Sequence, residues 1–401
     1  MEILHRIYEM TALDQIAQDP MSIVMILLAL LLLYLGIFKK YEPLLLIPIG
    51  FGVLIANFPG GQMGVVSAQM EPVIKKMHLL EIASEYGIMN MLYYALIKTG
   101  LLPPLIFMGV GAMTDFGPLL RNLRLAFFGA AAQLGIFTVL IAAIAVGFTP
   151  QEAGALGIIG GADGPTAIYT SIILAPHLLG PIAIAAYSYM ALVPVIIPLV
   201  VKYTVSDKEM KINMREQDKI YPSKYTIKNL KLLKILFPIC LVIIVALLVP
   251  SSTPLVGLLL FGNLIKEIGS DTNRLFEAAS NTIMNTATIF LGLTVGATMT
   301  SSTFLNTQTL MIILGGFIAF AFSILGGIMA VKVYNLFNKK KINPLIGATG
   351  LSAVPMASRV ANELALKKDP SNHILQYAMS SNISGVIGSA VAAGILISFL
   401  G

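Results

Sequence analysis

Seven apolar runs dominate this chain: residues 21–38, 43–57, 123–147, 181–201, 235–249, 309–333 and 383–400. Several approach the ~20 residues that a helix needs to cross the hydrocarbon core of a bilayer. The rest of the composition agrees. Of the 401 residues, 57% are hydrophobic and 11% charged, with a mean hydropathy of +0.85. Soluble domains carry about 25% charged residues. Lipid must therefore solvate most of this chain, and the expected class is an all-α integral membrane protein.

The net charge of +6 is distributed as a topology signal. Basic residues gather at Lys39-Lys40, across 202–234 and at Lys339-Lys340-Lys341, each at the end of an apolar run. That is the positive-inside pattern, and it excludes nucleic acid as the partner of these charges. Cys240 is the single cysteine and has no partner for an intrachain disulfide, and four scattered histidines do not make a zinc site. Ahead of the first run, Glu2, Glu9, Asp14 and Asp19 stand against Arg6, which is not the charge pattern of a cleaved signal peptide. Ile3, Leu4, Ile7, Met10, Leu13, Ile16 and Ala17 form an apolar stripe instead, so residues 1–20 are expected to make an interfacial helix.

The longest polar stretch, 202–234, holds nine Lys/Arg against four Asp/Glu and divides the chain almost in half. It reads as a cytoplasmic connector between a first membrane repeat, 21–201, and a second, 235–401. Gly161-Ala162-Asp163-Gly164-Pro165-Thr166-Ala167-Ile168 aligns with Gly347-Ala348-Thr349-Gly350-Leu351-Ser352-Ala353-Val354. Gly111-Ala112-Met113-Thr114 echoes Gly296-Ala297-Thr298-Met299-Thr300, and Phe51-Gly52-Val53 echoes Phe261-Gly262-Asn263. Three matches in one order point to a repeat. The run 21–38 ends on lysines, whereas its counterpart 235–249 starts from the connector, so the two halves should be inverted. Inverted repeats with broken helices that meet near the midplane are the architecture of many secondary transporters. The broken segments are expected at 153–175 and 343–361, and counting crossings makes 150–175 the natural re-entrant hairpin.

Asp163 is the sharpest chemical feature. A carboxylate at membrane depth is costly and usually lines a cavity or an ion path. Gly160, Gly161, Gly164 and Pro165 break the helix around it and free backbone carbonyls. Together with the Thr166 hydroxyl these are hard oxygen donors suited to Na⁺ rather than a transition metal. The plainer alternative is a surface aspartate capping a helix. The second segment, N-P-L-I-G-A-T-G-L-S-A-V-P-M-A-S-R, lacks an acid but offers Asn343, Thr349 and Ser352 as neutral donors. Arg359 at its end is either a snorkelling residue or an anchor for a carboxylate. Tyr189 is either an interfacial tyrosine or a site residue. Asn382, Ser384 and Ser389 in the last helix suit helix packing. No Walker A motif is present, so ATP is not the direct energy source.

At these residues the sequence resembles a known family. G-G-A-D-G-P-T-A-I-Y, Y-S-Y-M-A-L-V-P, the segment Asn343–Arg359 and N-I-S-G-V-I-G-S-A-V-A-A-G are together similar to the β subunit of the sodium-pumping, biotin-dependent decarboxylases. The resemblance implies that Asp163, Tyr189, Ser352 and Arg359 are catalytic, with Arg359 facing carboxybiotin. It implies Na⁺ ligands among Asp163, Thr166, Asn343, Gly347, Thr349 and Ser352. It implies a carboxyltransferase α subunit, a biotin carrier subunit that bears the biotin covalently, a small membrane subunit and a homo-oligomeric core in a prokaryotic cell membrane. The expected activity is carboxybiotin decarboxylation with proton consumption and Na⁺ export. The residues alone equally suit a Na⁺- or H⁺-coupled carrier for a carboxylate.

Overall fold

The computed structural model describes residue 16 and residues 19–40, 42–66, 70–222, 229–353 and 355–401. Most of the expected interfacial helix at 1–20 lies outside the described residues. Among the described residues every regular element is helical. Four helices are long and apolar enough to cross a membrane, Leu123–Val146, Leu230–Leu248, Thr307–Phe337 and Leu375–Leu400, and two bent pairs raise the number to six. The chain is a multi-pass membrane protein.

The helices that position the site are, in chain order, α1 (Met21–Ile37), α2 (Pro43–Ala56), α3 (Leu102–Met113), α4 (Leu123–Ala132), α5 (Leu134–Val146), α6 (Pro150–Gly157), α7 (Gly164–Leu174), α8 (Leu179–Ala191), α9 (Val193–Thr204), α10 (Leu230–Leu248), α11 (Thr253–Ile268), α12 (Met284–Ala297), α13 (Thr307–Phe337), α14 (Met356–Lys368) and α15 (Leu375–Leu400). The apolar run 181–201 is not one rod. It bends by 68° between α8 and α9, where Pro194 at the start of α9 has no N–H to continue the ladder. Conversely, α3 pairs with the helical stretch Ile88–Ile97 at 63°, a broken span that no single apolar run announces because Lys98, Thr99 and Gly100 interrupt it.

Two helix pairs tie the halves of the chain together, α2 against α12 and α3 against α11. Both depend on glycines that let backbones touch. A Cβ on Gly52 would lie 2.4 Å from the carbonyl oxygen of Leu293, and one on Gly296 2.3 Å from that of Ile49. On the other pair, a Cβ on Gly262 would lie 1.9 Å from the carbonyl oxygen of Met108, and one on Gly111 1.8 Å from that of Leu259. In each case a glycine faces the carbonyl three residues before the partner's glycine. Small residues at such crossings let dispersion contacts accumulate where lipid supplies no hydrophobic drive. Buried amides add directional bonds: Asn57 Nδ2 donates to the Met299 carbonyl at 2.8 Å and Asn263 Nδ2 to the Thr114 carbonyl at 2.8 Å.

The 202–234 connector folds back on the helix ends. Lys332 pairs with Glu209 at 2.9 Å, Lys340 with Asp218 at 2.6 Å and Lys368 with Asp207 at 2.8 Å. These contacts place the C-terminal ends of α13 and α14 at one face, the connector face.

Gly262→Ala and Gly111→Ala should each lower the thermal stability of the purified protein, because overpacking a tight contact typically costs about 1–3 kcal/mol. Gly257→Ala, on the same helix but with nothing nearer than 3.7 Å to its Cβ, should be neutral or mildly stabilising. Thermal unfolding of the three variants in detergent checks the contrast.

Candidate functional site

The site forms where two interrupted helices cross. In the first, Thr149 caps α6: its Oγ1 accepts from the Glu152 N–H at 3.3 Å, and the Glu152 carboxylate accepts from the Thr149 N–H at 2.9 Å. The helix then tightens into a 3₁₀ turn over Ile158–Gly161 and stops at Ala162, whose φ of 55° is left-handed. That conformation costs a non-glycine residue roughly 1–2 kcal/mol. The next residue, Asp163, is the N-cap of α7: its Oδ1 accepts from the Thr166 N–H at 3.2 Å, and Pro165 fills a position where an N–H would be unpaired. The carboxylate thus sits on the positive end of the α7 dipole.

In the second segment a single helical turn, Pro344–Gly347, leads to an irregular stretch before α14. The two interruptions touch through their backbones: the Ser352 N–H donates to the Gly161 carbonyl at 3.0 Å. The Ser352 and Ser389 hydroxyls lie 2.8 Å apart, and Ser389 donates to Asp163 Oδ2 at 3.0 Å. One carboxylate and two hydroxyls from three segments distant in sequence therefore form one chain. Asp163 is 6% exposed, so these groups hold their charge away from bulk water.

Several buried oxygens here have no partner among the described residues. The Thr166 hydroxyl lies beside the Asp163 carboxylate without completing a hydrogen bond. Gln133, at the joint between α4 and α5, spends its amide N–H groups on the carbonyls of Gly129 at 3.1 Å and Gly385 at 3.4 Å, and leaves Oε1 unpaired next to Gly161. Asn382 on α15 donates to the carbonyls of Thr349, at 3.1 Å, and Leu351, and leaves Oδ1 unpaired. A buried acceptor left unmatched costs about 1–3 kcal/mol. Of the three, the Thr166 oxygen lies beside the carboxylate and Gln133 Oε1 beside Gly161, and oxygen donors of this type suit hard cations rather than soft transition metals.

The expected site residues divide clearly. Asp163, Thr166 and Ser352 come together. Tyr189 lies on the other side of the 3₁₀ turn, with its hydroxyl on the Ile313 carbonyl and its ring in line with Gly316 and Ile159. Asn343 sits at the connector face, its Nδ2 on the carbonyls of Met210 and Ile212 (2.8 and 3.0 Å) and its Oδ1 on the Leu345 N–H (3.0 Å). Gly347 packs on the Gly327 backbone, and the Thr349 hydroxyl donates to the carbonyls of Ile346 and Ala378, at 2.7 and 2.9 Å. Arg359 is exposed, one turn into α14. One turn further on, Asn362 helps line a cavity of about 340 Å³ at the connector face with Arg215, His373, Gln376 and Tyr377.

Ser389, which the sequence suits to packing, joins the cluster, and Gln133 stands beside it without a motif to mark it. A signal existed for both: Ser389 lies seven residues after Asn382 on one helix face, and Gln133 is a lone amide inside an apolar run. Tyr187, whose ring presses on Gly164 so closely that a Cβ there would lie 1.9 Å away, was likewise unremarked.

Fold and site together define a polytopic helical membrane protein with a buried, carboxylate-centred oxygen cluster at the crossing of two broken helices. Residues 21–400 match the model of the Na⁺-transporting oxaloacetate decarboxylase beta subunit, and the chain belongs to this family. It is 48% identical to the methylmalonyl-CoA decarboxylase subunit beta of Propionigenium modestum over 389 residues, covering 95% of each chain. It is 45% identical to the oxaloacetate decarboxylase beta chain 2 of Salmonella typhi over 419 residues, covering 94% of each. With the methylmalonyl-CoA decarboxylase subunit beta of Veillonella parvula it shares 46% identity over 377 residues, 94% of this chain and 92% of that one.

Ser389→Ala should destabilise the protein by about 1–3 kcal/mol, since it strips a donor from a buried carboxylate. Ser384→Ala, which removes only a bond to the Ala126 carbonyl, should cost less, about 0.5–1.5 kcal/mol. Chemical denaturation of the two variants side by side tests this.

Proposed function

We propose that this chain is the membrane subunit of a Na⁺-pumping decarboxylase: it decarboxylates carboxybiotin, consumes a proton, and couples the reaction to Na⁺ export. The observation that carries this reading is the Asp163 carboxylate, buried at the helix crossing among the hydroxyls of Ser389, Ser352 and Thr166. Na⁺ and a proton compete for the same carboxylate oxygens. Binding Na⁺ there gives the unpaired Thr166 oxygen a partner, and protonation removes the charge that holds the ion. Ser352 and Ser389 come from the second half of the chain, so a change of charge at Asp163 acts directly on the contact between the two halves. Asn343, Gly347 and Thr349 belong to the second segment of this ion path, where their present bonds hold its backbone in position.

Carboxybiotin approaches from the connector side. Arg359 faces its carboxylate, where a planar guanidinium pairs bidentately. As the carboxylate leaves water, the N–C bond breaks, its electrons stay on the ring nitrogen, CO₂ departs and the nitrogen takes a proton. Tyr189, once its bond to Ile313 opens, or a protonated acid supplies that proton. The biotin is borne by a carrier subunit loaded by a carboxyltransferase α subunit. A small membrane subunit and further copies of this chain complete the assembly.

The same reading makes the two halves inverted repeats. The reciprocal glycine contacts support it: α2 with α12 and α3 with α11 are the pairs that exchange when the aligned motifs are exchanged. The names of the relatives favour the decarboxylase over a stand-alone carboxylate carrier.

Reconstituted with its partners in proteoliposomes, Asp163→Asn should lose Na⁺-dependent carboxybiotin decarboxylation at least ~100-fold, about 2.7 kcal/mol of barrier. Activity retained by that variant would sink the scheme. Arg359→Lys should raise KM for the carboxybiotinylated carrier about tenfold, because a point charge replaces a bidentate fork. Uptake of labelled citrate by this chain alone, without a biotinylated partner, would instead support the carrier.

A further inference from the structure

At the end of the membrane opposite the connector lies a second cavity, of about 240 Å³. Its wall includes Glu71, Lys98, His177, Gln308 and Thr309. At about 30 Å³ per water it has room for roughly eight waters, enough for a small cation with its first hydration shell. Four of these five side chains are held by ion pairs or hydrogen bonds: Lys98 pairs with Glu71 at 2.9 Å. Gln308 donates to Glu152 Oε1 at 2.9 Å, and His177 Nε2 lies 2.9 Å from the same oxygen. Thr309 is the exception. It is 4% exposed, and among the described residues its hydroxyl has no hydrogen-bond partner.

From Thr309, α13 leads straight to the Asp163 break. One turn inward is Ile313, whose carbonyl takes the Tyr189 hydroxyl. At Gly316 a Cβ would lie 2.9 Å from the Tyr189 ring and 3.3 Å from Ile159. At Ala319 the helix meets Gly160, which starts the second half of the 3₁₀ turn. Ten residues of helix, about 15 Å, therefore separate the cavity from the break. The Tyr189 ring fills this interval, packed by Phe317 and Phe320 at centroid distances of 6.0 and 6.2 Å.

We propose that this cavity is the outer vestibule of the ion path, a site for hydrated Na⁺ on its way out, and that the Tyr189 ring is its inner plug, latched by the Ile313 carbonyl. The inference rests on the Na⁺-export reading and adds where the ion leaves. Na⁺ released from Asp163 passes when the hydroxyl leaves Ile313 and the ring turns. The Thr309 oxygen is the first unpaired ligand it meets.

The test uses the whole complex in sealed vesicles, with Thr309→Cys in a Cys240→Ser background, and Gln308→Cys as a second probe at the rim. A membrane-impermeant, positively charged thiosulfonate added on the face opposite the connector should modify both cysteines. External Na⁺ at saturating concentration should slow modification of Thr309→Cys at least threefold relative to choline. Modification should lower Na⁺ export at least fivefold relative to the same variant before reagent. Absence of modification from that face at both positions, or modification that leaves export unchanged, overturns the vestibule. The site reading fails separately: there, Asp163→Asn would keep Na⁺ protection against thermal unfolding in detergent, whatever the labelling shows.

Discussion

The crossing of the two interruptions is joined by a backbone contact in lipid-buried protein, the Ser352 N–H on the Gly161 carbonyl. Interrupting a helix inside a bilayer exposes peptide groups that cost several kcal/mol each if left unmatched. Two interruptions placed side by side solve part of that problem for each other. Among the described residues the Thr166 hydroxyl, beside the Asp163 carboxylate, and Gln133 Oε1, beside Gly161, have no such partner. The break that makes the fold expensive is thus the same break that gathers the buried oxygens. Glycine at 161, against which Ser389 Cβ would lie 2.9 Å from any added methyl, allows α15 close enough to join.

The polar cluster at this crossing draws its groups from segments that are far apart in sequence. Asp163 and Thr166 belong to the first half, while Ser352 and Ser389 belong to the second. An ion or a proton bound among them changes the electrostatic cost of holding the halves together at that point. Coupling by this route needs no long chain of intermediates, only a charge whose presence is felt on both sides of the crossing.

Much of this was legible in the residues. Apolar run lengths fixed the membrane class, and glycine and proline at 160–165 and 344–355 marked both interruptions. Pro194 carried the signal for the α8–α9 bend, but a continuous apolar run masked it. The cluster's geometry was legible where a residue is costly to bury, as Asp163 is, and illegible where it is cheap. Ser389 on a glycine-rich helix looks the same whether it packs or ligates, since only the third dimension brings it to Asp163. Gln133 went unnoticed because its helix reads as one uninterrupted span. Asn343 shows the reverse: an amide donor in a promising motif whose three polar contacts in the structure are to backbone.

The reciprocal glycine contacts of α2 with α12 and α3 with α11 bear on how the molecule is made. Each glycine surface in the first half is covered only by a helix that the ribosome delivers after the connector. Until then α2 and α3 stand in the bilayer with close-packing faces turned to lipid, and the Gly161 carbonyl lacks its Ser352 donor. The packing faces of the first half are therefore completed by α11 and α12, and each half carries the surface that the other requires.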